Sequence, residues 1–294
     1  MSNDRLLLYL DQSHLSNLVK KRRDFEADRT RLVELIGMGK VQLVLSLYHL
    51  LETIECKRHG GELEGDILAF MDEVSAGAVW IHSIGLIFTE EATLAFKKFL
   101  GLPQVPTMGV FARNLQDFVR RNFDDPFLLW GEERKPSYVA SLLRAQGAGQ
   151  SMKASGRAVV QNVLKFRDRV LSTSNDEWSR RRQLLEYVPV VVDGEVAKMS
   201  TRQEFAQSVS FDDLPAIRLF QDAKDAILGE SLKWDLPRVP QAGDYSDLHH
   251  VVALPYVDVF TCDNYCWSRL NQIKRSRVGR GTAVRTLHEA LERI

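Results

Sequence analysis

The chain has 294 residues, 45% hydrophobic and 27% charged, with 39 basic and 39 acidic side chains and three cysteines. A chain of this length buries roughly 75% of the surface it exposes when unfolded. It needs no disulfide frame, and Cys56, Cys262 and Cys266, odd in number and without paired CxxC spacing, exclude a zinc ribbon and fit reduced thiols in a cytoplasmic protein. Zero net charge excludes a global basic field, and the opening MSNDRLLLYLD is neither a signal peptide nor a membrane span.

The first predicted element is a buried strand, Arg5 to Leu10, which ends at Asp11 and feeds a helical pattern from Leu15. A helix near residues 26 to 37 stops at Gly37 and Gly39; Val41 to Ser46 is then a second strand, leading into a helix that carries Glu52. After Gly60-Gly61 and a helix to about residue 75, Val79 to Ile84 is a third strand, with Thr89-Glu-Glu opening the next helix. Strands alternating with helices predict an α/β fold around a mostly parallel sheet.

From residue 101 to residue 242 the alternation gives way to helical stretches at Phe111 to Arg121, Ala158 to Leu171 and Phe211 to Leu228. This segment is expected to be a large, mainly helical insertion between a first core part, 1–100, and a second, 243–294. Within it, Tyr187 to Ala197 predicts a hairpin turning on Asp193-Gly194, a dipeptide suited to a type I′ turn. Gly147 to Ser155 lacks both the glycine before Lys153 and the preceding strand that a phosphate-binding loop requires, and is expected to be a flexible loop. Alternation then resumes with a helix from Asp247, a strand from Val257 to Thr261, a helix from Asn264 and a last strand at Ala283 to Thr286.

Four acids stand where these elements begin or end: Asp11, Glu52, Asp247 and Asp263. In open parallel sheets functional groups collect beyond the carboxyl ends of the strands. Carboxylates gathered there repel one another unless a cation neutralises them, and oxygen-only donors suit Mg²⁺ or Mn²⁺. Each acid also has a plain structural role open to it, as helix cap, turn former or surface residue. Asp244 and Asp258 are weaker candidates. Local charge is uneven: residues 134 to 182 hold eleven Lys or Arg against three acids, and residues 264 to 294 hold seven against two. Such runs are ordinarily solvated helix faces. Trp178, Trp234 and Trp267, each near arginines, have the chemistry to stack on bases, although tryptophan is more often core.

The segments LYLDQSHLSNLV, VLSLYHLLETIE and SDLHHVVALPYVDVFTCDNY resemble the acidic motifs of the PIN domain nucleases, over residues 5 to 100 and 243 to 294. The resemblance matches Asp11 to the first motif, Ser46 and Glu52 to the second, Asp247 to an aspartate opening a helix, and Thr261-Cys262-Asp263 to a strand ending in Thr-x-Asp. Ser13 occupies a place where the family commonly has a polar residue, often Asn. The resemblance implies a three-layer α/β/α fold and a metal-dependent endoribonuclease, of the kind that includes toxins and defence effectors. Asp11 and Asp263 would be principal ligands of Mg²⁺ or Mn²⁺, Glu52 and Asp247 would complete the site, and Thr261 would orient a carboxylate or water. His249 and His250 are expected to be hydrogen-bond partners rather than ligands. The expected partner is nucleic acid, RNA ahead of DNA; an inhibitory or regulatory protein and a homo-oligomer stay open, and no membrane is expected. The alternatives are a DNA-directed PIN-like nuclease and a non-catalytic module that binds RNA or protein.

Overall fold

In the computed structural model the described residues are 5–20, 23–55, 62–112, 114–123, 135–165, 177–229 and 241–294. Their strands are β1 (Leu6–Tyr9), β2 (Val41–Ser46), β3 (Val79–Ile81), β4 (Phe111–Ala112), β5 (Val191–Val192), β6 (Glu195–Val196), β7 (Val259–Thr261), β8 (Arg277–Val278) and β9 (Gly281–Val284). The helices of the first hundred residues are α1 (Gln12–Leu18), α2 (Arg23–Gly37), α3 (Leu47–Glu55), α4 (Glu62–Val74) and α5 (Ile84–Phe99). Then follow α6 (Leu115–Asn122), α7 (Pro136–Ala145), α8 (Ala148–Lys165), α9 (Glu177–Leu184), α10 (Met199–Ser208) and α11 (Pro215–Lys224). The last three are α12 (Ala242–Val251), α13 (Asn264–Gln272) and α14 (Leu287–Leu291).

Seven strands form one sheet in the order β4-β3-β2-β1-β7-β9-β8. The inner five are parallel, and antiparallel β4 and β8 close the two edges. Alternate side chains of each strand enter two apolar layers, as the two-residue period of a strand requires. Tyr9, Val44, Phe260 and Ala283 lie in register on one face. Leu8, Leu43, Val259 and Val284 lie on the other. Helices α5, α10, α11, α12 and α13 cover the first face, and α1, α3, α4, α6, α7 and α14 the second. Burial on both sides explains why β1 and β2 read as continuous apolar runs. Among the described residues no helix is long and apolar enough to cross a membrane.

The segment 101–242 contributes to both layers and to the sheet itself, through β4. A partly buried ion network ties it to the C-terminal strands: Asp222 accepts from Arg180 and Arg275, both at 2.9 Å, and Arg180 also reaches Asp225. The hairpin forms as expected, with β5 against β6 and positive φ at both Asp193 (49°) and Gly194 (90°), the type I′ geometry.

Other boundaries differ from expectation for local reasons. Helix α5 opens at Ile84, where extended Ser83 is its N-cap, so Thr89 lies inside the helix with its hydroxyl on the Gly85 carbonyl. Phe111 belongs to β4; Asn114 caps the helix that follows by accepting from the Asp117 amide. The 147–155 stretch is helical from Ala148, with Gly147 at φ 71° turning the chain out of α7. Gly60-Gly61, the end of the helix expected to reach Leu171, Cys56 and Trp234 lie outside the described residues.

Glu91 of α5 is a buried carboxyl that joins three elements. It accepts from the Ala216 amide (2.8 Å) and the Ile217 amide (3.1 Å) at the start of α11, and from the Tyr256 hydroxyl. Burial pushes it up to about 7 from an ordinary 4.5, despite these three donors. A carboxyl with a raised folded value binds its proton better when folded, so stability is lost as pH rises from the unfolded value through the folded one. Denaturant unfolding of the wild type between pH 5 and pH 8 should therefore show a fall on the order of 3 kcal/mol that Glu91→Gln lacks. Equal pH dependence in the two proteins would contradict this assignment.

Candidate active site at the carboxyl edge of the sheet

Because β2, β1 and β7 are adjacent and parallel, their carboxyl ends deliver Ser46, Asp11 and Asp263 to one edge of the sheet. Each end is followed at once by a helix, and the residue at the junction meets the residue three places on. Asp11 caps α1, accepting from the His14 amide at 2.9 Å. Asp263 caps α13, accepting from the Cys266 amide at 2.7 Å. At the end of β2 the Ser46 amide donates to His49 Nδ1 at 3.0 Å.

That last bond sets the tautomer of His49. With Nδ1 accepting, Nε2 carries the proton and donates to the Leu10 carbonyl at 2.6 Å. Burial, then the nearby His250, lowers its pKa to about 3, so the ring is neutral. Ser46 Oγ lies 2.9 Å from the Tyr9 hydroxyl, which lies 2.5 Å from His250 Nδ1. The chain closes when Ser46 donates to Tyr9 and Tyr9 to His250, leaving the proton of His250 on Nε2. That nitrogen stands 3.2 Å from Glu52 Oε1, yet both atoms are buried without an aligned hydrogen bond among the described residues. A buried polar chain thus runs from the end of β1 to Glu52, through β2 and α12.

His250 also places Asp247, since residues three apart share a helix face. Asp247 is in the second turn of α12 and does not open it: Gln241 and Asp244 form the capping box at its start. The Asp247 carboxyl is pushed well above the ordinary range by burial first, then by the charges of Asp263, Glu52, Asp11 and Asp244. All four predicted acids therefore share one electrostatic neighbourhood. Two of them are already engaged by donors of the protein itself. Asp11 accepts from Ser13 Oγ at 3.0 Å and from His14 Nδ1, while His14 Nε2 donates to the Arg285 carbonyl at 2.9 Å. Both ring nitrogens face acceptors, which requires an imidazolium. Burial opposes that charge, but the Asp11 carboxylate outweighs it and raises the His14 pKa; reciprocally, His14 brings Asp11 below its usual value against burial.

The remaining candidates have structural partners. Thr261 Oγ1 accepts from the Asp11 amide at 3.1 Å, so the threonine fixes the Asp11 backbone rather than its carboxylate. Asp258 precedes β7, at the opposite edge of the sheet, and accepts from the Leu7 amide and Arg280 at 2.7 Å each. Asp244 is committed to its cap, accepting from the Gln241 amide at 2.8 Å. His249 Nδ1 lies 2.8 Å from the Tyr245 carbonyl, and burial lowers its pKa to about 4. Cys262 and Cys266 are free, buried thiols. Tyr9, His14 and His49 went unread in the sequence. The available signal was the repeated spacing of a strand-end polar residue with a histidine three places on, Asp11 to His14 and Ser46 to His49.

Among the described residues no group of three or more His, Cys, Asp or Glu side chains is arranged to hold a metal ion. The donor chemistry nonetheless fits a hard cation. Among the described residues Glu52 Oε1 is a buried carboxylate oxygen without an aligned partner, and burial and like charges raise Asp247. Compared with known proteins, the chain matches no family model, no curated protein and no solved structure.

Tyr9→Phe should remove the central link of the buried chain and strand His250 Nδ1, while Ser46 Oγ keeps His49 Nδ1 at 3.1 Å. The expected cost is about 1–3 kcal/mol of unfolding free energy. An unchanged denaturation midpoint would show that the hydroxyl joins nothing.

Proposed function

We propose that the protein is a Mg²⁺- or Mn²⁺-dependent nuclease that hydrolyses phosphodiester bonds, an endoribonuclease of PIN type ahead of a DNA-directed one. This reading is supported by Asp11, Glu52, Asp247 and Asp263, from four separate elements, of which Asp11 and Asp263 follow strands β1 and β7 at the carboxyl edge of a parallel sheet, and the charges of the other three act on Asp247. RNA as the substrate follows from the likeness of the motifs to the PIN nucleases. Glu52 and Asp247 have the oxygens least committed to protein donors and would hold the ion, with Asp11 and Asp263 closing the set by releasing their local bonds. Magnesium needs only one or two carboxylates beside water. When bound, the ion supplies an acidified water and neutralises charge on the phosphate. His250 Nε2 stands 3.2 Å from Glu52, and Thr261 holds the Asp11 backbone.

A second reading, a module that binds nucleic acid without cutting it, draws on the protein donors that already engage Asp11 and Asp263. One assay separates the two. Wild type and Asp11→Asn are incubated with labelled RNA and DNA in EDTA, Mg²⁺ or Mn²⁺. The nuclease reading expects metal-dependent cleavage that falls at least about 10²-fold in Asp11→Asn. Cleavage unaffected by Asp11→Asn would sink the assigned mechanism, and salt-sensitive binding without cleavage would favour the binding module.

A further inference from the structure

Beside the acids lies a cation stacked on an aromatic ring. The Arg285 guanidinium sits over the Trp267 ring at 4.8 Å. Trp267 is one turn beyond Asp263 on α13, its amide donating to the Asp263 carbonyl at 2.9 Å, so the two residues share a helix face. Arg285 follows β9, and its carbonyl accepts from His14, whose ring also grips Asp11. The stacked pair is therefore anchored at one end to Asp263 and at the other to Asp11. Asp263 and Arg285 are exposed and Trp267 is half-buried.

The Arg285 guanidinium lies over a ring and, like that of Arg277, has no acidic partner among the described residues. Arg275 sits on Asp222, Arg280 on Asp258 and Arg293 on Glu289. A guanidinium seated over a ring keeps N–H donors for a further partner. The cation–ring pair offers a planar surface suited to a base taken out of its stack, and the N–H donors suit a phosphate. A base inside a duplex cannot offer its face, which selects single-stranded substrate.

We propose that Arg285, seated over Trp267, is a binding platform for single-stranded nucleic acid entering the acidic site. This rests on the nuclease reading for its substrate class, and binding in EDTA tests it apart from catalysis. The probe is a fluorescein-labelled oligouridylate, followed by anisotropy across a salt series, with the matching RNA duplex for comparison. Arg285→Ala should weaken single-strand binding roughly tenfold or more and lower the salt slope by about one contact. Trp267→Ala should weaken it less, since charge remains. Arg285→Lys should keep the salt slope yet fail to restore affinity, a split that a purely electrostatic or structural role would not produce.

Circular dichroism confirms that each variant is folded before its affinity is read. If folded Arg285→Ala and Trp267→Ala bind like the wild type, the platform is wrong, and metal-dependent cleavage by the wild type would leave the nuclease reading standing. If Arg285→Ala loses binding while the wild type cuts nothing in any metal, the platform stands and the nuclease reading falls. A wild type that binds no single strand overturns the platform outright.

Discussion

The carboxyl edge of the sheet depends on one buried hydroxyl. Tyr9 belongs to the central strand, its ring stacked on Phe260 of the adjacent strand with centroids 5.3 Å apart. A phenol in that layer costs free energy unless its oxygen is paired. Tyr9 finds two partners, Ser46 at the end of β2 and His250 on α12. Satisfying one polar atom therefore fixes the end of a neighbouring strand and the face of a helix, and through His250 it brings Glu52 and Asp247 to the edge where Asp11 and Asp263 emerge.

Electrostatics then divides the four acids into two kinds. Asp11 and Asp263 are helix caps with local donors, and Asp11 has the His14 imidazolium as well. Among the described residues Glu52 meets His250, out of hydrogen-bond alignment, and Asp247 meets chiefly other negative charges. Bringing like charges together costs free energy unless protons or cations offset the repulsion. The imbalance lies on the Glu52 and Asp247 side, so under the proposed nuclease reading those two, rather than the strand-end aspartates, would be the primary ligands.

Much of this was legible in the sequence because strands buried on both faces leave uninterrupted apolar runs. Arg5 to Leu10 and Val41 to Ser46 announced the parallel core and, with it, the edge to which Asp11 and Glu52 belong. Short or interrupted strands left weaker traces: Phe111-Ala112 reads as part of the helix it precedes, and Asp247 reads as a helix start because the cap at Gln241 and Asp244 is not a common pairing. Asp258, a weaker candidate, stands before its strand and so at the far edge. The hydrogen-bonded chain through Tyr9, Ser46, His49 and His250 depends on contacts between residues up to 241 positions apart. No periodicity along a single chain reveals those, although the repeated three-residue spacing to His14 and His49 hinted at them.

Whether these acids hold a cation is read by Mn²⁺ binding without any assumption about substrate. Titration of the purified protein with Mn²⁺, followed by the paramagnetic resonance of the free ion, should show the wild type depleting the aqueous signal and Asp247→Asn binding at least about tenfold more weakly. A wild type that leaves the free-ion signal unchanged, or an Asp247→Asn variant that binds as tightly as the wild type, would contradict the account.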